Sequence, residues 1–361
     1  MRQQHFSTTI VVTLVVTLVV TLIMGWLIWD GTKSTLSSFF QSSQFIRIIS
    51  GLPQDVHGWD IFTYYGKVFI YPIEVEEAPF TIYRIDPNNE QIVESIIIDQ
   101  IISPQAIIAR HYQLPDAWLA EQGFFMWEID QQTNIAYATK PEKLPSKVQE
   151  YVENGFEGVY VIDMITRKVK NFIKYPGFLH MILHPSGKKL YIEAPEGKVR
   201  VLDTERLEWV KEFFVGDYFA LLFTGFSDDG KYLFCGYNGY KGFIVINTEK
   251  DEVETWAKQI NEEIYDKYNI NVIPPYALSE DKQEVYAAAH FVEGNVDIFN
   301  EPGVKAKGGV ITIDLSQRKV TRMLGLSRER ECTGAVVIGN KLFVSSWNDI
   351  FVIDIDHWRK R

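Results

Sequence analysis

The chain has 361 residues, 46% hydrophobic and 14% aromatic, enough to bury a large core. Its formal net charge is −11. That balance argues against a nucleic-acid interface, which needs a basic face, and against a domain lying flat on anionic lipid.

Residues 8–29 carry no charge and are long enough to cross a bilayer. A cleaved signal would have a shorter apolar core and a small-residue cleavage site; Met24-Gly-Trp-Leu-Ile-Trp-Asp30 offers none. The sequence therefore predicts an N-terminal transmembrane anchor over residues 1–30. Arg2 precedes the span, and Asp30 follows it with only Lys33 as partial offset. This bias places the N-terminus in the cytoplasm and exports the rest to a periplasm or extracellular space. Thr9, Thr13, Thr17 and Thr21 recur every four residues, and Gly25 continues the stripe. Small and hydroxyl residues on one face suit packing against helices of membrane protein subunits. Residues 31–43 are Ser/Thr-rich and read as a linker.

From residue 44 to 361 two phrases alternate. One is a short apolar strand, as in Val68-Phe-Ile-Tyr71, Ala136-Tyr-Ala-Thr139, Leu190-Tyr-Ile-Glu193, Leu233-Phe-Cys-Gly236, Val285-Tyr-Ala-Ala288 and Leu342-Phe-Val-Ser345. The other is an alternating strand closed by Asp or Asn at Asp86, Asp163, Asp203, Asn247, Asp314 and Asp354. β-branched and aromatic residues at period two, bounded by Gly, Pro, Asn and Asp, are strand signals, and the closing Asp or Asn starts a turn by accepting from its own backbone. A fixed repeat of short strands points to a radial all-β architecture, the β-propeller.

The turns His184-Pro-Ser-Gly-Lys188 and Ser227-Asp-Asp-Gly-Lys231, with the looser Ser279-Glu-Asp-Lys282, give the chain its family likeness. With the strands around them they resemble the YVTN-type propeller repeat family over roughly residues 44–361. The resemblance is specific for fold and weak for function. The heavy chain of methylamine dehydrogenase is similar too. That likeness implies a second reading, a redox subunit docking an electron-transfer partner.

Asp163, Asp203 and Asn247 lie 40 and 44 residues apart, and Asp314 and Asp354 lie 40 apart. The longer intervals, 77 from Asp86 to Asp163 and 67 from Asn247 to Asp314, contain stretches without alternation. The count is therefore six blades, with seven as the alternative. The last repeat has only three strands, so residues 44–50 are expected to supply its fourth and close the ring. Four long insertions, 99–123, 140–157, 257–271 and 292–307, all fall at links on one face. Function gathers on such loops. Trp118, Phe124, Tyr151, Tyr265 and Phe299 are the candidate side chains there for a soluble or peripheral protein partner. The tail Arg359, Lys360 and Arg361 is the candidate membrane-proximal cation group.

Catalytic signals are weak. Cys235 and Cys332 form no Cys-x-x-Cys motif and read as buried thiols. The seven His are scattered, and none shares metal-ligand spacing with a carboxylate; His57 and His180 lie near innermost strands. No catalytic, cofactor or metal residue is assigned, and whether the chain is an enzyme stays open, leaning to no. The leading expectation is a non-catalytic binding or scaffolding subunit of a membrane complex. A propeller hydrolase with a channel metal is the third reading.

Overall fold

The computed structural model describes residues 45–49, 52–53, 58–72, 80–98, 103–141, 156–177, 180–216, 221–237, 242–299 and 301–360. Residues 48–360 make one compact unit. Each apolar phrase forms the second strand of an antiparallel sheet, and each phrase closed by Asp or Asn forms the third.

Blade one comprises β2 (Trp59–Tyr64), β3 (Lys67–Pro72), β4 (Phe80–Asp86) and β5 (Gln91–Ile98). Blade two comprises β6 (Met126–Asp130), β7 (Ile135–Pro141), β8 (Phe156–Asp163) and β9 (Lys168–Gly177). Blade three comprises β10 (Met181–Leu183), β11 (Lys189–Ala194), β12 (Lys198–Asp203) and β13 (Glu208–Phe214). Blade four comprises β14 (Leu222–Phe226), β15 (Tyr232–Gly236), β16 (Phe243–Asn247) and β17 (Glu252–Val253). A six-stranded sheet follows, with β18 (Ile270–Leu278), β19 (Glu284–Phe291), β20 (Asp297–Ile298), β21 (Glu301–Lys305), β22 (Gly308–Asp314) and β23 (Lys319–Ser327). The closing blade joins β24 (Cys332–Ile338), β25 (Lys341–Ser346) and β26 (Ile350–Asp354) to β1 (Ile46–Ile48) as its outer strand. Just past that strand the Ile49 N–H donates to the Ile350 carbonyl at 2.9 Å.

Two expectations are corrected. The count of six like blades, or seven, fails: five sheets are four-stranded blades, and one sheet has six strands. Residues 292–307, read as irregular, include the hairpin β20–β21, which joins the outer strand β23 in parallel at Ile298 and Gly325. Gly325 permits this, because a Cβ there would meet the Asp297 carbonyl oxygen at 2.5 Å. The N-terminal transmembrane helix is not supported either. Among the described residues no helix is long and apolar enough to cross a membrane. The longest helical run among them joins a seven-residue α-helix to a five-residue π-helix over Trp256–Lys267, and a span needs about 20. The run 8–29 lies outside the described residues, as do Thr9, Thr13, Thr17, Thr21 and Gly25.

The turn chemistry follows the sequence. Asp203 Oδ1 accepts the N–H of Glu205 and of Arg206 at 2.9 Å, and Asp86, Asp163, Asn247 and Asp314 act alike. The residue four beyond each is left-handed: Glu90, Arg167, Leu207, Asp251 and Arg318 have φ of 57°, 53°, 57°, 52° and 55°. Non-glycine residues enter this region seldom, and here the side-chain-capped turn holds them in it. Thr204 and Thr248 then donate their hydroxyls to the carbonyls of Gly187 and Gly230 in the first turn of the same blade. The two short turns of a blade are thus stapled together.

Candidate interaction face and central channel

Antiparallel strands alternate direction, so links from first to second and from third to fourth strand emerge at one end of a blade. Links from second to third strand, and from blade to blade, emerge at the other. Contacts run from β6 to β10, β14, β18, β24 and β2, so the first strands line the centre.

Between blades one and two the chain inserts helices α1 (Pro104–His111) and α2 (Ala117–Glu121). Ser103 caps α1 by accepting the Ala106 N–H, with Pro104 opening the helix. Ile107 and Ile108 pack with Phe69, Ile82 and Ile96 of blade one. Ala106, Ala109, Leu119 and Ala120 pack with Trp127, Ala136, Ala138 and Ile162 of blade two. The helices therefore fill the wedge between two sheets. Beneath them lies Asp116, 1% exposed, whose Oδ2 accepts from the Tyr64 hydroxyl and from the Trp127 indole N–H at 2.7 Å. Burial and this carboxylate push the Tyr64 hydroxyl pKa well up, so it stays a donor.

A second wedge, α3 (Trp256–Glu262) with a π-turn at Glu263–Lys267, packs Trp256, Ile260, Ile264 and Tyr265 into the core of the six-stranded sheet. The Tyr265 hydroxyl accepts the N–H of Gly242 at 3.0 Å.

The face candidates separate accordingly. Phe124 and Tyr265 are core residues, 6% and 3% exposed. Trp118 is half-buried against the blade-two cluster. Phe299 is half-buried, and its N–H donates to the Gly325 carbonyl at 3.0 Å. Tyr151 and Arg361 lie outside the described residues. Arg359 is held by Asp281 at 3.0 Å and Glu284 at 2.8 Å, at the short-turn end of the six-stranded sheet, while Lys360 is exposed. These carboxylates already neutralise the Arg359 charge, so only Lys360 of the described tail presents an unpaired cation.

Sequence reasoning singled out His180 but missed four acidic residues whose ionisation burial opposes, two of them, Asp60 and Glu128, on first strands. Asp60 on β2 is held above the usual carboxylate range by burial, although Tyr71 donates to it at 2.7 Å and the Ile61 N–H at 2.8 Å. Glu128 on β6 is pushed up to about 7 by burial. Glu193, at the far end of β11, is also pushed up to about 7 by burial while its carboxylate accepts the Leu221 N–H at 2.8 Å. Asp349, in the link from β25 to β26, is raised by burial and by Glu329. His180, just before β10, is pushed down to about 4 by burial and is neutral near pH 7. His57 lies outside the described residues. For Asp60 and Glu128 an acid inside a first strand was the signal, masked because turn carboxylates dominate the count. Among the described residues, no group of three or more His, Cys, Asp or Glu is placed to hold a metal ion.

No family model and no curated protein matches the chain. Among solved structures it is similar to hydrazine synthase of Kuenenia stuttgartiensis, at 17% identity and a TM-score of 0.38, covering 62% of this chain. The match spans 55%, about half, of that protein's own length. It is also similar to the Cps50 (Swd1) β-propeller domain of Myceliophteria thermophila, at 8% identity and a TM-score of 0.44, covering 86% of this chain and 99% of that one.

Proposed function

We propose that this propeller works by binding, as a non-catalytic accessory subunit of a larger membrane assembly. The observation that carries the reading is the asymmetry of its two ends. One end closes in short turns stapled by Thr204 and Thr248. The other bears the hairpin β20–β21, whose Pro302 and Gly303 are exposed, as is Val292 at its base. Rigid blades holding an exposed extension are a common way to present a binding surface. Kinship with the YVTN-type repeat family belongs to the same reading and is supported by the turn phrases. A place on the outer side of a cell membrane belongs to it as well, and rests on the uncharged apolar run 8–29 alone.

Photo-cross-linkers at Phe299 and at Lys188, on opposite ends, test the proposal in the full chain. Protein adducts at Phe299 and few at Lys188 are expected after recovery in mild detergent. Equal labelling at both ends, or turnover by the isolated chain, would reject it. Fractionation of cells under mild conditions checks the placement: the chain should sediment with the membrane fraction.

A further inference from the structure

The outer strands β5 and β13 also expose apolar side chains, but each carries glutamate, and the outer strand of blade two carries none. Residues 165–172 are all exposed, from the turn into β9. Ile165, Val169 and Phe172 are 76%, 52% and 41% exposed. The strand and its turn also carry Arg167, Lys168, Lys170 and Lys174, with no acidic residue from 165 to 174. Among the described residues only Lys170 of these four has an ion-pair partner, Asp163 at 3.8 Å. Several other blade cations meet a carboxylate more closely, as in Lys189–Asp251 at 2.7 Å, Lys341–Glu90 at 2.7 Å and Lys198–Glu196 at 2.9 Å. A positive strip with one long ion pair, on a chain of net charge −11, is an unfavourable place to leave Ile165 and Val169 exposed, and Phe172 is covered only on the side where its ring meets Tyr160 at 4.6 Å.

We propose that residues 165–174 are a docking strip for an acidic, extended segment of a partner protein that also carries apolar side chains. Charge complementarity selects the occupant. Lysines on an edge strand ordinarily serve to repel other strands. Here they stand beside exposed Ile165, Val169 and Phe172, which repulsion does not require. β9 has a neighbour on one side only, β8, so its other edge runs open along the rim. Asn171 Oδ1 already accepts the Phe172 N–H at 2.8 Å, so side chains rather than a continuous backbone ladder supply recognition at that point. Successive strand side chains face opposite ways, which suits a chain laid alongside the edge better than a planar lipid surface. This strip is independent of the hairpin end proposed above.

The test uses the full chain and a fluorescent peptide of alternating glutamate and valine. Saturable binding that weakens as salt rises is expected. The combined Lys168→Glu, Lys170→Glu and Lys174→Glu variant should lose at least about tenfold in affinity, since each close charge contact carries a large share of such recognition. The milder Lys→Gln set at the same positions guards against misfolding and should show a smaller loss. Reversal of Lys188 and Lys231, on the short-turn end, should leave binding unchanged. No peptide binding, or equal loss from the control reversal, overturns the proposal. Vesicles of phosphatidylglycerol form the second arm: a loss confined to vesicle binding assigns the strip to lipid and also overturns it.

Discussion

Two seams of the ring solve one packing problem with different chemistry. Between blades three and four the sheets meet directly. Lys189 donates to both carboxylate oxygens of Asp251, at 2.9 and 2.7 Å, and the Tyr191 hydroxyl reaches the same carboxylate at 2.6 Å. Between blades one and two, helices α1 and α2 stand in the gap, and Asp116 ties Tyr64 of one blade to Trp127 of the next. Each seam centres on one buried carboxylate gripping an aromatic donor. In the direct seam the repeat delivers that carboxylate at a fixed turn position. In the wedge an insertion delivers it. A repeat can therefore tolerate a large insertion where the insertion brings its own apolar faces and its own acid.

The largest effect is expected in the wedge. Leu119→Ala should cost about 3–4 kcal/mol in urea unfolding, because a fully buried side chain leaves a cavity bounded by two sheets. A loss under about 1 kcal/mol would mean the helices are not structural and would break the comparison. Next comes the direct seam. Asp251→Ala should cost about 2–3 kcal/mol, since it strands a lysine and a buried hydroxyl together. Tyr191→Phe, which removes one donor and leaves the ion pair, should cost about 1 kcal/mol.

Stability should also depend on pH through Glu193, beside the link from β11 to β12. Glu193 has a folded pKa of about 7, raised by burial above its ordinary value. The folded state then holds a proton that the unfolded state releases, so stability falls as pH rises from about 4.5 through 7. Glu193→Gln should flatten that fall by about 1–2 kcal/mol between pH 5 and 8, measured by urea unfolding at each pH. An unchanged slope would refute the burial assignment. Glu94 titrates elsewhere: partial burial opposes, but hydrogen bonds from Tyr112, His111 and Arg84 hold it down to about 2. Its contribution is lost only as pH falls below the ordinary carboxylate range. The smallest effect is expected at the seam between the closing blade and blade one. There Lys341 meets Glu90 and the Pro87 carbonyl at 2.7 Å, both partners being partly exposed. Lys341→Met should cost about 1 kcal/mol or less, read as a small shift in the thermal midpoint.

The all-β fold, the second and third strand of every sheet and the turn residues were legible in the sequence. Alternation at period two and an Asp or Asn that caps its own turn are local facts, fixed within a few residues. The latch residues were half legible: Lys189 and Lys341 stand immediately before the apolar phrase, and Asp251 and Glu90 stand four residues past the strand-ending Asn or Asp. Sequence gives both positions, but not that they meet across a seam. Three features belong to tertiary structure alone. The hairpin β20–β21 extends one sheet because Gly325 lets a distant backbone come close. Phe124 and Tyr265, candidates for a partner on composition, are core because the insertions turn inward between blades. Arg359, read as a free cation of the tail, is neutralised by Asp281 and Glu284, far away in the chain. A side chain's type and local pattern determine its strand and turn; which neighbour shields it from water depends on how separate segments converge, and that decides whether it binds, braces or is buried.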